Sequence, residues 1–419
     1  MTKYGVLDSI EVVTSSENYK GTVMPGNDQK YLFLKLNSGY NVGIKKTKIK
    51  KTTILKKHKE EKTTAQKLKP HKNLPTITIL HTGGTFASKV DYQTGGVIAK
   101  FTPEELVAMF PELEKIANIN SEFISNMLSE DMRFNDYQKI TKEIEKQHKK
   151  GVKGIIITHG TDTLHYTSAA LSFMLRKCPI PVILVGAQRS SDRGSSDAAM
   201  NLICAASFIA KTDFAGVAIC MHESIDDNSC IIIPGTKARK LHTSRRDAFK
   251  AINDTPIARI EYPTQKITLL KPIIPIKNGL EIKPKMEEKI AILKIHPNMS
   301  EKQFLFYKNY KGLILEGTGL GHAPIGTKEH VKILNAIKSL TKSGCIVAIT
   351  SQTIFGRVNL NIYSTGIKLL ELGVIPCEDM TTETAFIKLS WLLGNYPKEK
   401  IKDMMVTNLK GEINERLQV

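Results

Sequence analysis

Thr76-Ile77-Thr78-Ile79-Leu80-His81-Thr82-Gly83-Gly84-Thr85 and Ile155-Ile156-Ile157-Thr158-His159-Gly160-Thr161-Asp162-Thr163 decide how this chain folds. Each opens on a short β-branched run and ends in glycine and hydroxyl-bearing residues. That pattern predicts a buried parallel strand whose C-terminal loop carries polar groups. In open α/β sheets ligands bind outside such strand ends. Two hydroxyls and a carboxylate meeting there point to acyl transfer with a threonine nucleophile.

Outward from these stretches, Val182-Ile183-Leu184-Val185 and Val217-Ala218-Ile219-Cys220 repeat the strand pattern, with helical patterns between them. The alternation is that of a parallel sheet covered by helices. Pro263, Pro272, Pro275 and Pro284 then mark a boundary, and a smaller βα set follows. Before Thr76, four short β-rich runs separated by turn residues read as a small β unit. Residues 44–74 hold 12 Lys and two Glu, a net +10 of the chain's +19, and read as a tether.

The expected division is therefore a small β-barrel-like domain at 1–44, a Lys-rich tether at 45–74 and an N-terminal α/β lobe at 75–262. A Pro-rich linker at 263–288, a C-terminal α/β lobe at 289–393 and a tail at 394–419 complete it.

Composition bounds the function. The 419 residues are 41% hydrophobic and 24% charged, as in globular proteins, with no apolar stretch long enough for a membrane helix. Residues 1–6 lack the apolar core of a signal peptide, so a cytoplasmic location is expected. The six cysteines are scattered without metal-type spacing, which predicts reduced, buried thiols. No H-E-x-x-H and no G-x-x-x-x-G-K-[ST] occurs, so neither a metal nor an ATP loop is expected in this chain. The pI near 9.4 favours a polyanionic partner; a solvated lysine-rich linker is the alternative.

Taken together, Thr82-Gly83-Gly84-Thr85-Phe86-Ala87-Ser88, Tyr92 with Gly95, Ser129-Glu130-Asp131-Met132, Thr158-His159-Gly160-Thr161-Asp162-Thr163-Leu164, Gly186-Ala187-Gln188-Arg189 and Lys240 resemble the bacterial-type L-asparaginase and glutaminase family. The likeness runs over about 76–393 and implies a two-lobed asparaginase-like α/β body. By that resemblance Thr85 is the nucleophile with Tyr92 beside it, and Thr161, Asp162 and Lys240 form a second polar set. Ser129, Glu130, Asp162 and Gly84 hold the substrate. A carboxylate facing the substrate ammonium would fix the amide end near Thr85. To act as a base Lys240 must be neutral, which burial favours and Asp162 opposes; otherwise it orients and polarises Thr161. Glu130 stands where asparaginases often carry glutamine, so the resemblance leaves the choice between Asn and Gln open.

A second resemblance covers the segments outside that body. Tyr19-Lys20-Gly21-Thr22-Val23-Met24-Pro25, the stretch from Leu34 to Ile44, Glu316-Gly317-Thr318-Gly319-Leu320-Gly321-His322 and the stretch from Val406 to Ile413 are similar to the D subunits of archaeal glutamyl-tRNA(Gln) amidotransferases. What this implies is glutamine hydrolysis here, with ammonia sent to an E subunit that binds Glu-tRNA(Gln) and uses ATP and Mg. It also implies a homodimeric core and no membrane association. The rival readings are a stand-alone asparaginase and a nucleic-acid-binding scaffold.

Overall fold

The computed structural model describes residues 4–6, 8–24, 26, 28, 30–36, 41–57, 70–83, 89–90, 97–98, 103–189, 196–276 and 279–416. The chain divides into two units, Met1–Lys67 with Ser88–Lys100, and Leu68–Ala87 with Phe101–Val419.

In the first unit, alternating apolar and polar residues build an antiparallel sheet with one covered face. Strands β1 (Ser9–Thr14), β2 (Asn18–Met24), β3 (Tyr31–Leu36), β4 (Asn41–Lys45) and β5 (Ile49–Lys56) lie in the order β4-β3-β2-β1-β5. Ile10, Val12, Val23, Leu32, Leu34 and Ile44 form its core. β4 and β5 lie at opposite ends of that order, yet only Lys46–Lys48 joins them. Four Cα steps reach about 14 Å at most, whereas five flat strands stand about 19 Å across, so the sheet must curl.

The tether expected at 45–74 needs correction, because Ile49–Lys56 is a strand paired along β1. Lysines obscure the pattern there: Ile49, Thr52 and Ile54 are half-buried while Lys50, Lys51 and Lys56 are exposed. Residues 58–69 of that segment lie outside the described residues.

The second unit begins with β6 (Thr76–Gly83); the short pair β7 (Lys89–Val90) and β8 (Val97–Ile98) that follows it in sequence belongs to the first unit. The first lobe continues through α1 (Pro103–Met109), β9 (Asn118–Met127), α2 (Phe134–Lys149), β10 (Gly154–Thr158), α3 (Leu164–Met174), β11 (Leu175–Lys177), β12 (Pro181–Val185), α4 (Ala198–Lys211) and β13 (Gly216–His222). It ends with β14 (Ser229–Pro234), β15 (Ala238–Lys240), β16 (Phe249–Ala251), β17 (Ala258–Glu261) and β18 (Ile267–Leu269).

Eight of these strands form one sheet in the order β18-β17-β14-β13-β12-β10-β6-β9. The five from β13 to β9 are parallel; β13, β12, β10 and β6 are buried on both faces, as their apolar runs require, while β9 at the edge is partly exposed. The parallel sheet expected from the sequence is thus mixed, for β14, β17 and β18 run antiparallel. Residues 223–228 between β13 and β14 are too few for the crossover that a parallel neighbour needs.

The second lobe holds β19 (Glu281–Ile282), β20 (Ile290–Lys294), α5 (Glu301–Leu305), β21 (Gly312–Gly317), α6 (Val331–Lys342), β22 (Ile346–Ser351), α7 (Ser364–Glu371), β23 (Ile375–Pro376), α8 (Thr382–Asn395) and α9 (Ile401–Val406). Its sheet is parallel, β20-β21-β22-β23. Two expected segments are more structured than linker and tail. The Pro-rich stretch gives β18 to the large sheet and β19 to a pair with β11. The C-terminal stretch buries Ile401 and Met405 and is stapled by Lys388 to Glu412 at 2.6 Å, both side chains fully buried. All six cysteines are buried and unpaired. Among the described residues no helix is long and apolar enough to cross a membrane.

Candidate active site

Strand order places the site. From β6 the chain moves to β9 on one side, then returns to put β10, β12 and β13 on the other. The sheet therefore switches direction at β6 and β10, and the crevice outside their C-terminal ends is where such sheets bind ligands. Three described stretches meet there: the end of β6 at Thr82 and Gly83, the Ser129–Asp131 turn after β9, and 159–163 after β10.

Close packing of those loops depends on missing side chains. Gly83 has φ +112°, and a Cβ on it would lie 2.3 Å from the Met127 carbonyl oxygen of β9. A Cβ on Gly160 would come within 2.8 Å of the Ser129 Cβ. Hydroxyls then tie the loops together. Thr82 Oγ1 donates to the Thr158 carbonyl at 2.9 Å, Ser125 Oγ to the Thr82 carbonyl at 2.9 Å, and Thr163 Oγ1 to the Ser129 carbonyl at 2.5 Å.

His159 braces the second loop from below. Its Nδ1–H donates to the Gly160 carbonyl at 2.6 Å, so Nε2 is left to accept from the Thr167 hydroxyl at 2.8 Å. Burial holds the ring neutral, with its pKa pushed down to about 4. His165 is pushed down further, to about 3, by burial and by the nearby Arg239 and Lys240. His81 bridges Thr158 and Ser121 at 3.1 Å each, and burial lowers its pKa to about 4.

Lys240 reaches this edge from β15. Its Nζ donates to Thr161 Oγ1 at 2.8 Å and to Asp162 Oδ1 at 2.8 Å. The Lys240 side chain is 10% exposed whereas that of Asp162 is 66% exposed, so the ion pair lies at the mouth with its carboxylate towards solvent. Asp162 also precedes the N-terminus of α3, where negative charge is favoured. A neutral amine at Lys240 could take the proton of the Thr161 hydroxyl, while the ammonium polarises it; both suit attack on a carboxamide.

Of the residues singled out in the sequence, Thr161, Asp162 and Lys240 thus meet although 78 positions separate Asp162 from Lys240. Ser129 is buried at the adjoining turn, and Glu130 beside it is exposed. Gly84, Thr85 and Tyr92 lie outside the described residues. The sequence reading passed over Thr82 and His159 as supports. Their positions, one beside each glycine, were the available signal.

Comparison with known proteins accords with this arrangement. Residues 76–274 match the asparaginase N-terminal domain, 289–405 the glutaminase/asparaginase C-terminal domain, and 4–55 the GatD N-terminal domain. The D subunit of the glutamyl-tRNA(Gln) amidotransferase of Pyrococcus furiosus is 48% identical over 94% of this chain and 91% of that protein. The D subunit of the Methanococcus vannielii amidotransferase is 45% identical over 98% of this chain and 99% of its own length. Among solved structures, the L-asparaginase of Thermococcus kodakarensis superposes with TM-score 0.73 at 30% identity, covering 81% of this chain and 100% of that one. L-asparaginase I of Vibrio cholerae gives 0.72 at 28% identity, with 81% and 99% covered. An asparaginase body carrying a GatD-type N-terminal module places this chain in the family of glutamyl-tRNA(Gln) amidotransferase D subunits.

Proposed function

We propose that this chain hydrolyses glutamine and passes the ammonia to a partner protein, which converts Glu-tRNA(Gln) to Gln-tRNA(Gln). One observation carries the reading: Lys240 bonded to both Thr161 and Asp162 at the switch point of the sheet, in a chain matching amidotransferase D subunits almost end to end. In this scheme the Thr85 hydroxyl oxygen adds to the carboxamide carbon of glutamine. Its proton leaves through the Thr161 and Lys240 side. Collapse of the adduct returns a proton to nitrogen, breaks the C–N bond and frees ammonia, leaving a glutamyl ester on Thr85. Water then cleaves that ester to glutamate and restores the hydroxyl. In this reading Tyr92 assists the nucleophile, while Gly84, Ser129, Glu130 and Asp162 hold the substrate's charged end.

The partner is the amidotransferase's E subunit, which supplies the ATP and Mg chemistry and binds Glu-tRNA(Gln). Two copies of this chain form the core of a cytoplasmic heterotetramer. Seven exposed lysines at 45–57, with no acidic residue among them, support a nearby polyanion, to which lysine lends sequence-independent affinity. Light scattering on the co-expressed pair is expected to give the heterotetramer; separate monomers would refute it.

A stand-alone asparaginase is the rival. Solved asparaginases match 81% of this chain over essentially their whole length, so the GatD-type module at 4–55 lies beyond what that activity requires. Thr85→Ala in the complex tests the proposal. Glutamine-dependent formation of Gln-tRNA(Gln) is expected to vanish while ammonium-dependent formation persists. Undiminished use of glutamine would remove Thr85 as nucleophile, and rapid asparagine hydrolysis by the isolated chain would favour the rival.

A further inference from the structure

The strand that delivers Lys240 is too slight to hold its own position. Among the described residues β15 pairs only with β16, through Ala238 with Ala251, Arg239 with Lys250 and Lys240 with Phe249. A two-stranded ribbon of that size is not independently stable, so its placement is set by what it packs against. Side chains alternate along it. Ala238 packs into the first-lobe core and Lys240 reaches Thr161, while Lys237 and Arg239 meet residues of the second lobe.

Most of the contacts of 236–239 beyond the first lobe come from 379–384, at the start of α8; Thr236 Oγ1 also donates to the Lys410 carbonyl at 3.1 Å. Lys237 Nζ donates to Asp379 Oδ2 at 2.7 Å, with both side chains fully buried. The other oxygen of Asp379 accepts from the Asn414 backbone N–H at 3.0 Å and faces Arg357 at 3.8 Å. Arg239 meets Glu383 at 3.2 Å, and Thr384 Oγ1 donates to the Thr236 carbonyl at 2.8 Å. Three anchors at 236, 237 and 239 thus hold the segment that ends in Lys240.

We propose that 379–384 is a positioning clamp for the amidase reaction: it touches no reacting atom, but through Lys237 and Arg239 it fixes Lys240 against Thr161. The proposal rests on the reading of Lys240 as part of the active site. It assigns the second lobe a share in the chemistry, through geometry and without contributing a reacting group. Misplacement by about 1 Å can cost ~100-fold in rate, which is the lever the clamp controls.

The test uses glutamine hydrolysis by the full chain in its complex with the partner. In Lys237→Met/Asp379→Leu the buried volume is retained and the directional anchor lost. Its kcat should fall about 10- to 100-fold with KM held within about twofold, and the pH profile of kcat should shift. Lys149→Ala, which removes an exposed pair with Glu145 on α2, should leave kcat and the profile unchanged. Arg239→Gln, at a partly exposed position, gives a second reading if the buried double variant does not fold. It should lower kcat severalfold, with Arg239→Lys restoring part of the loss. Wild-type kcat and pH profile in a folded Lys237/Asp379 variant, or in Arg239→Gln, would overturn the clamp. Lys240→Met separates the layers: activity surviving that change sinks the site reading, whereas activity lost there but intact in the clamp variants sinks only the clamp.

Discussion

Lys237 and Lys240 stand three positions apart in one short segment and have opposite surroundings. Lys237 is wholly buried against Asp379 of the second lobe, and burial lowers its pKa while Asp379 works the other way. Lys240 sits at a solvent-facing mouth, bonded to Thr161 and to an Asp162 that is 66% exposed. The residue type is the same, but Lys237 ends the turn before β15 and points to the lobe interface, whereas Lys240 ends β15 and points to the crevice. A lysine's role here follows from where along this segment it stands and what packs against it there.

The sharpest way to break that contrast is to remove each ammonium in turn. Lys240→Met should lower kcat/KM for glutamine by about 10²- to 10⁴-fold, the range for losing a proton-transfer group, with little change in unfolding midpoint. Lys237→Met alone should add a large loss of stability to the smaller fall in kcat expected of the clamp. It leaves the buried Asp379 carboxylate with the Asn414 N–H and the more distant Arg357, for a loss of up to about 3–5 kcal/mol in denaturant titration. If Lys237→Met left stability untouched, or Lys240→Met left kcat/KM untouched, the two environments would not differ as described.

A smaller effect concerns the backbone beside the first loop. Gly83→Ala forces a Cβ towards the Met127 carbonyl at positive φ, so it should cost about 1–3 kcal/mol and loosen the β6–β9 edge. Wild-type stability in that variant would mean the strands can part without penalty.

The histidines extend the comparison to pH. His81 and His159 have folded pKa values of about 4 against 6.5 for the free side chain, because burial penalises the charged ring. The unfolded chain therefore binds protons first as pH falls. Stability should be complete above about pH 6.5 and decline towards pH 4, by up to about 1.4 kcal/mol per pH unit for each ring. Urea midpoints measured across that window check the sign, and His81→Asn should flatten the slope. Smallest of all, Lys146→Ala breaks an exposed pair with Glu143 and should change stability by less than about 0.5 kcal/mol.

How much was legible beforehand follows from which interactions are local. The β-branched runs at 76–80 and 155–157 declare buried strands because both faces of those strands are covered, and the glycines after them declare loops. β5 was hidden because its partly buried Ile49, Thr52 and Ile54 are diluted by lysines that an edge strand tolerates. The antiparallel part of the large sheet was missed for a related reason, since an apolar run carries no sign of its direction. Thr161 and Asp162 were legible as the polar loop after an apolar strand, but Lys240 only through family motifs, as nothing local announces that β15 will reach the loop after β10. The anchors Lys237, Arg239, Asp379 and Glu383 left no pattern at all. They are paired charges across the lobe interface, and that interface exists only once both lobes have folded.

The most direct test of the central claim is the choice of nitrogen donor by the complex carrying Thr161→Val, a substitution close in shape that deletes the hydroxyl bonded to Lys240. Formation of Gln-tRNA(Gln) is measured with glutamine and, separately, with ammonium. Loss of the glutamine-supported reaction with the ammonium-supported one unchanged is the predicted result. Equal rates from both donors, at the wild-type level, would contradict it.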